Sequence, residues 1–276
     1  MGIAKLAAVT SANPTPGGAD RRQRWPSRLW LVRHGESAGN VASENARLAG
    51  HTHVDIALDR DADVPLSERG VEQARALGRW FHAQDPAERP EIVLCSPYVR
   101  ARRTAALIRE AGGLAPRASK AVVDERLRER EFGILDRLTK TGVQQLFPQQ
   151  AEFRAKLGKF YHRPPGGESW CDVILRLRSA LDTLSLHYSG RCVLIVTHEV
   201  VVMCLRYLLE DLDEAGVLAI DRKGDIANCG VSEYAYDASH GPFGGGLVLR
   251  RYNFTAPLEE EGAPVTFAPD ANVAAR

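Results

Sequence analysis

The chain has 276 residues, with 36 Lys+Arg against 35 Asp+Glu, a formal net charge of +1, 44% hydrophobic and 26% charged residues. This is ordinary globular usage, and the length suits one large domain or two small ones. Near neutrality excludes a polybasic protein that holds nucleic acid or anionic membrane by bulk charge, but not a local cluster of positive charge.

Residues 1–27 are rich in Ala, Pro, Gly, Ser and Arg and read as a disordered leader. Arg28-Leu29-Trp30-Leu31-Val32 reads as a buried strand. Ser67 can cap a helix over 68–83, with Val71, Ala74, Gly78 and Phe81 on one face. Ile92 to Cys95 reads as a second strand, followed by a helix from Pro97 to Glu110 that Gly112-Gly113 stops. Val122-Val123 lies in a third strand, and 139–166 in short helices and loops punctuated by Pro148, Pro164 and Pro165. Ile174, Leu177, Leu181, Leu184 and Tyr188 recur at helical spacing over 169–188. Cys192 to Val196 is the clearest buried strand, and a helix follows over 199–210. Val231 to Tyr236 and Leu247 to Tyr252 read as two late strands joined by a glycine-rich loop, 241–246. Residues 257–276 read as a flexible tail, which leaves 28–256 as the folded domain. Alternating strands and helices predict an α/β fold with a largely parallel sheet covered on both faces.

No apolar run reaches the roughly 18 residues of a spanning helix. The best candidate, Val193 to Leu209, is broken by His198, Glu199 and Arg206. Leu6-Ala7-Ala8-Val9 after Lys5 is too short for a secretory signal core. The five cysteines, Cys95, Cys171, Cys192, Cys204 and Cys229, form no C-x-x-C pair and suit buried thiols in a reducing compartment. A soluble, cytoplasmic protein is expected. His51-x-His53-x-Asp55 could suit metal ligands by spacing, but a solvated loop or substrate-facing lid is the better reading.

Three segments end predicted strands with residues suited to phosphate: Arg33-His34-Gly35-Glu36-Ser37, Ser96-Pro97-Tyr98-Val99-Arg100 and Thr197-His198-Glu199. Ligands of open α/β sheets bind beyond the carboxyl ends of strands, so all three can converge on one crevice. Arg33 and Arg100 can grip phosphate oxygens in bidentate fashion and stabilise a transferring phosphoryl group. Neighbouring cations disfavour an imidazolium, which keeps a histidine between them nucleophilic. A carboxylic acid must then protonate the departing alkoxide, and Leu127 to Gly133 supplies candidates.

Arg33-His34-Gly35-Glu36-Ser37 resembles the signature of the histidine phosphatase superfamily, the phosphoglycerate-mutase-like enzymes. The resemblance covers about 28–240 and runs in family order through Pro65 to Gly70, Ser96 to Ala101 with Thr104, Leu127 to Gly133, Pro165 to Ser169, and Thr197-His198. It implies a three-layer α/β/α fold, with a mixed, mostly parallel sheet of about six strands and an inserted helical cap. It implies His34 as the phosphorylated nucleophile, Arg33, Arg100 and His198 as the phosphate pocket, and Glu129 as proton donor. Asn40, Ser37, Arg130 and Glu168 complete the candidate substrate-binding set; Glu168 could also brace the arginines or start the helix after it. No metal and no cofactor are implied, and the expected partner is a small phosphorylated substrate rather than nucleic acid or membrane. A homodimer stays open.

The mutase pattern places an arginine-rich stretch before its prolines. Here the matching segment reads Phe160-Tyr161-His162-Arg163-Pro164-Pro165, without paired arginines. With the insertion between Asn40 and Pro65, this resembles the broad-range phosphatase branch. Hydrolysis is therefore expected, with a cofactor-dependent phosphoglycerate mutase, or an inactive binder of phosphorylated ligands, as the alternatives.

Overall fold

A computed structural model describes residues 23–114, 120–240 and 245–268. Six strands form one sheet: β1 (Arg28–Arg33), β2 (Ile92–Cys95), β3 (Val122–Val123), β4 (Cys192–Thr197), β5 (Val231–Asp237) and β6 (Gly246–Phe254). Their order is β3-β2-β4-β1-β5-β6. The first four are mutually parallel, and β5 and β6 add an antiparallel edge.

The helices among the described residues are α1 (Ala38–Ala49), α2 (Glu68–Ala83), α3 (Val99–Ala111), α4 (Lys140–Leu146), α5 (Pro148–Tyr161), α6 (Trp170–His187), α7 (Glu199–Leu209), α8 (Glu214–Asp221) and α9 (Ala256–Glu260). Successive strand residues point to opposite faces, so each strand feeds two cores. Leu29 and Leu31 pack with α6 and α7; Trp30 and Val32 pack with α2 and α3. That gives the three layers. Trp170 and Leu177 are fully enclosed on the first face, and burial of such side chains stabilises by about 1.5–3 kcal/mol each.

Local chemistry fixes the helix ends. Ser67 accepts from Gly70 N at 3.1 Å to cap α2. Ser169 and Asp172 form a reciprocal capping box that opens α6. Within 139–166 the structure resolves the expected short helices as α4 and α5, with Pro148 starting α5 and Gly158, at φ 79°, breaking it. These helices are the insertion between β3 and β4.

Both ends of the domain differ from the expected boundaries. Order begins before residue 28: Trp25 packs on the α6–α7 core, and its carbonyl accepts from Gly190 N at 3.0 Å. Residues 1–22 of the expected leader lie outside the described residues, as do 241–244 of the glycine-rich loop. The expected tail is docked as far as Ala268. Leu258 is fully buried, Gln73 Nε2 donates to Pro264 O at 2.9 Å, and Asn228 N donates to Thr266 O at 2.9 Å. The prolines and glutamates of this segment suggest looseness, but its apolar anchors and paired backbone carbonyls override composition. Residues 269–276 lie outside the described residues.

The fold places the site by register. Arg33 pairs with Thr197, and Cys95 with Val196. The parallel strands β1, β2 and β4 therefore end side by side, and His34, Ser96 and His198 leave the sheet together.

Candidate active site

His34 continues β1 by donating its backbone N–H to Thr197 O at 2.9 Å. Its Nδ1 lies 2.8 Å from Gly35 O. A carbonyl only accepts, so Nδ1 carries the proton and Nε2 keeps its lone pair. That lone pair receives Arg100 Nε at 3.2 Å. The turn that aims the imidazole needs glycine: a Cβ on Gly35 would meet Gly70 O at 2.5 Å.

Arg100 sits in the first turn of α3, its guanidinium carbon 4.9 Å from the centre of the Tyr98 ring. Thr104 Oγ1 accepts from Gly35 N at 3.0 Å and donates to Arg100 O at 2.7 Å, tying α3 to the nucleophile loop. His198 precedes α7, with Nε2 2.7 Å from Ser96 Oγ and its ring 5.1 Å from that of His34. Its Nδ1 lies 3.9 Å from Glu129 Oε2. Glu129 Oε1 accepts from Arg130 N at 2.7 Å. Arg33 Nη1 donates to Ile226 O at 2.5 Å and Nη2 to Ala268 O at 2.7 Å; Glu199 Oε2 is 3.6 Å away.

The structure thus brings Arg33, His34, Arg100, Glu129 and His198 to one place. None is more than 2% exposed. Burial and the neighbouring Glu131 push the Tyr98 phenol far up, so it stays neutral and donates to Glu131 Oε1 at 3.1 Å.

The other expected residues divide. Asn40 Nδ2 reaches Ala268 O at 3.1 Å, beside Arg33, while its Oδ1 accepts from Ser37 N at 2.9 Å. Ser37 caps α1 through Asn40 N at 3.1 Å. Arg130 donates to Glu168 O at 2.6 Å and His162 O at 3.1 Å, and stacks over Phe132. Glu168 binds Arg128 and Arg176, not Arg33 or Arg100. Ser37 thus caps a helix, Glu168 forms ion pairs and Arg130 holds two backbone carbonyls, so all three brace the walls of the site. Among the described residues no three His, Cys, Asp or Glu side chains group as a metal site; His53 instead pairs its backbone with Leu138.

Two contributors escaped the sequence. Asp61, in a 3-10 turn of the insertion, pairs with Arg100 at 2.9 Å. Asn228 Nδ2 donates to His34 O at 3.2 Å. Asp61 stands among Asp59 and Asp63 with nothing to single it out. Asn228 had one weak cue, a Cys229-Gly230 turn after it; Cys229 has φ 56°.

The model of the histidine phosphatase superfamily, branch 1, matches residues 29–243. A probable phosphoglycerate mutase GpmB from Serratia proteamaculans is 29% identical over 214 residues, 77% of this chain and 86% of that protein. The solved structure of Bacillus stearothermophilus YhfR superposes with a TM-score of 0.64 at 25% identity, covering 84% of this chain and 98% of that one. The mycobacterial glucosyl-3-phosphoglycerate phosphatase Rv2419c, with VO3, shares the fold at a TM-score of 0.60 and 24% identity, over 83% of this chain and 99% of that one. Among the described residues no helix is long and apolar enough to cross a membrane. With its fold, its strand-end motifs and a match over most of its length, the chain belongs to the histidine phosphatase superfamily.

Proposed function

We propose that the protein is a phosphomonoesterase that hydrolyses small phosphorylated metabolites through a phosphohistidine on His34. The observation that carries this reading is the His34 tautomer: Nδ1 is held by Gly35 O, and the Nε2 lone pair is aimed at the Arg100 guanidinium. The substrate phosphoryl group takes the place on Arg100 now held by Asp61 and the place on Arg33 now held by Ala268 O. His34 Nε2 attacks phosphorus, the P–O bond to the alcohol breaks, and Glu129 gives its proton to the departing oxygen. Water, deprotonated by the Glu129 carboxylate, then attacks phosphorus; the P–N bond breaks and inorganic phosphate leaves. Arg33, Arg100 and His198 supply the positive charge that the transferring group needs, so the reaction requires no metal. Asn40 completes the cradle beside Arg33.

Turnover of p-nitrophenyl phosphate in the presence of EDTA tests the reading directly. His34→Ala should abolish both turnover and the acid-labile phosphohistidine trapped by rapid quench. No turnover between pH 4 and 8, with phosphate still bound, would make the chain a binding module. The mutase reading is favoured by the name of the Serratia relative. Interconversion of 3- and 2-phosphoglycerate, primed by 2,3-bisphosphoglycerate and faster than hydrolysis, would establish it.

A further inference from the structure

The two peptide units that flank the Gly35 Cα fix the aim of the His34 imidazole. The second carries Gly35 O, which holds His34 Nδ1 at 2.8 Å, and Glu36 N, which donates to Gln73 Oε1 at 2.8 Å. The first carries His34 O, which accepts from Asn228 Nδ2 at 3.2 Å, and Gly35 N, which donates to Thr104 Oγ1 at 3.0 Å. Gln73 and Asn228 are fully buried, so each amide must find its partners within the protein.

Thr266 joins the two amides. Gln73 Nε2 donates to Thr266 Oγ1 at 2.8 Å and to Pro264 O at 2.9 Å, and Thr266 Oγ1 stands 2.9 Å from Asn228 Oδ1. The backbone groups at the two ends dictate which way every proton points. Glu36 N–H only donates, so Gln73 turns Oε1 to it and Nε2 to Thr266. His34 O only accepts, so Asn228 turns Nδ2 to it and Oδ1 to Thr266. The Thr266 oxygen therefore accepts from Gln73 and gives its single proton to Asn228. A one-way chain of four hydrogen bonds results, from Glu36 N through Gln73, Thr266 and Asn228 to His34 O. Bonds aligned head to tail polarise and strengthen one another.

The middle of this chain needs a group that accepts and donates at once, which a hydroxyl does and a methyl does not. Asn228 N also donates to Thr266 O at 2.9 Å, so the backbone there is anchored independently of the side chain. Thr266 lies past residue 243, where the match to the superfamily model stops.

We infer that Thr266 is a positioning residue for the nucleophile: its hydroxyl orients the two amides that hold the peptides flanking Gly35, and through them the aim of His34 Nε2. This rests on the phosphatase reading above, in which Nε2 attacks phosphorus.

Thr266→Val keeps the shape and removes both side-chain hydrogen bonds; Thr266→Ser keeps the hydroxyl. Rapid quench with p-nitrophenyl phosphate reads the rate and the amplitude of phosphohistidine formation in each. The maximal rate for Thr266→Val should fall about tenfold, short of the roughly 10²-fold that a misplacement of about 1 Å costs. The half-saturating substrate concentration should stay within about twofold, because the phosphate-gripping arginines keep their place. Thr266→Ser should return the rate to within about twofold of the wild type. Partial unfolding lowers the amplitude and leaves the rate, so lost stability does not imitate the effect. A wild-type rate in Thr266→Val, a slow rate that Thr266→Ser shares, or a changed half-saturation with an unchanged maximal rate overturns the positioning role and leaves the phosphatase reading standing. A wild type that forms no phosphohistidine and hydrolyses no p-nitrophenyl phosphate overturns that reading, and the role of Thr266 with it.

Discussion

Asp61 holds Arg100 in a fork, with Nη1 donating to Oδ1 at 3.2 Å and Nη2 to Oδ2 at 2.9 Å, and its backbone carbonyl takes Nη1 as well at 2.8 Å. The carboxylate thus occupies the two-toothed position that a phosphoryl group takes on arginine. Both side chains are nearly buried, at 2% and 9% exposure, so the pairing is screened far less than a surface ion pair.

If Asp61 competes with substrate, Asp61→Asn should tighten vanadate inhibition and lower KM for p-nitrophenyl phosphate by about three- to tenfold, as expected when a charged hydrogen-bond competitor becomes neutral. Inhibition constants against vanadate, measured for both proteins at one pH, check this. A rise in KM would mean instead that Asp61 aims Arg100 at His34.

Arg33 is capped in a comparable way, by a carbonyl rather than a charge. Ala268 O accepts from Arg33 Nη2 and from Asn40 Nδ2. Ending the chain at Phe267 removes this acceptor but keeps Thr266, which donates to Asn228 Oδ1 and accepts from Gln73 Nε2. That variant should keep its Tm and show a lower KM. Ending the chain at Glu261 also removes the Gln73 and Asn228 partners, and Tm should fall by several degrees, about 2–4 °C per kcal/mol for a domain of this size.

These two contacts mark the limit of what the sequence reveals. The strand ends were legible because short apolar runs stop at Arg33, Cys95 and Thr197, and the register of three parallel strands does the rest. Arg100 was legible from its place one turn into a helix after such a strand, and Glu129 from a motif. Asp61 and Ala268 were not. One reaches the site from an insertion without apolar periodicity, the other through a backbone carbonyl, which has no side-chain signature. The contacts of Arg130 and Glu168 were hidden for a related reason. These residues stand beside the motif acid and at a helix start, yet their partners, His162 O for one and Arg176 for the other, are set by how the chain around 162–176 packs against them. The tail misled because proline and glutamate content reports average behaviour, whereas Leu258 and the carbonyls of Pro264 and Thr266 find specific partners.

Glu129 lies 3.9 Å from His198 and accepts from Arg130 N, and in the proposed mechanism its carboxyl protonates the leaving oxygen. Glu129→Gln keeps the shape and removes the proton. Turnover of alkyl phosphates, whose alkoxides need that proton, should fall by about 10²–10⁴-fold. Turnover of p-nitrophenyl phosphate, with its stable phenolate, should fall far less. Steady-state kinetics on the two ester types decide the matter, and equal losses would assign the acid elsewhere.

Asp136 provides a pH-dependent test of the acidic side of the site. Burial, with Asp61 adding to it, raises its carboxyl to about 6 from an ordinary value of 3.8. The nearest guanidinium, on Arg137, stands off at 3.9 Å, and Oδ1 is buried without a hydrogen-bond partner. Between pH 4 and 6 the folded protein therefore binds more protons at this site than the unfolded chain does. Stability must fall as pH rises through that window, and the full cost is present above it. Asp136→Asn removes the charge, so the variant should match the wild type near pH 4 and exceed it at pH 7. The side chain is 38% exposed, so solvent screening reduces the gain to about 1–2 °C in Tm. Thermal unfolding of both proteins between pH 4 and 8 measures the difference, and a gap that stays constant across that range would show that Asp136 does not titrate in the folded state there.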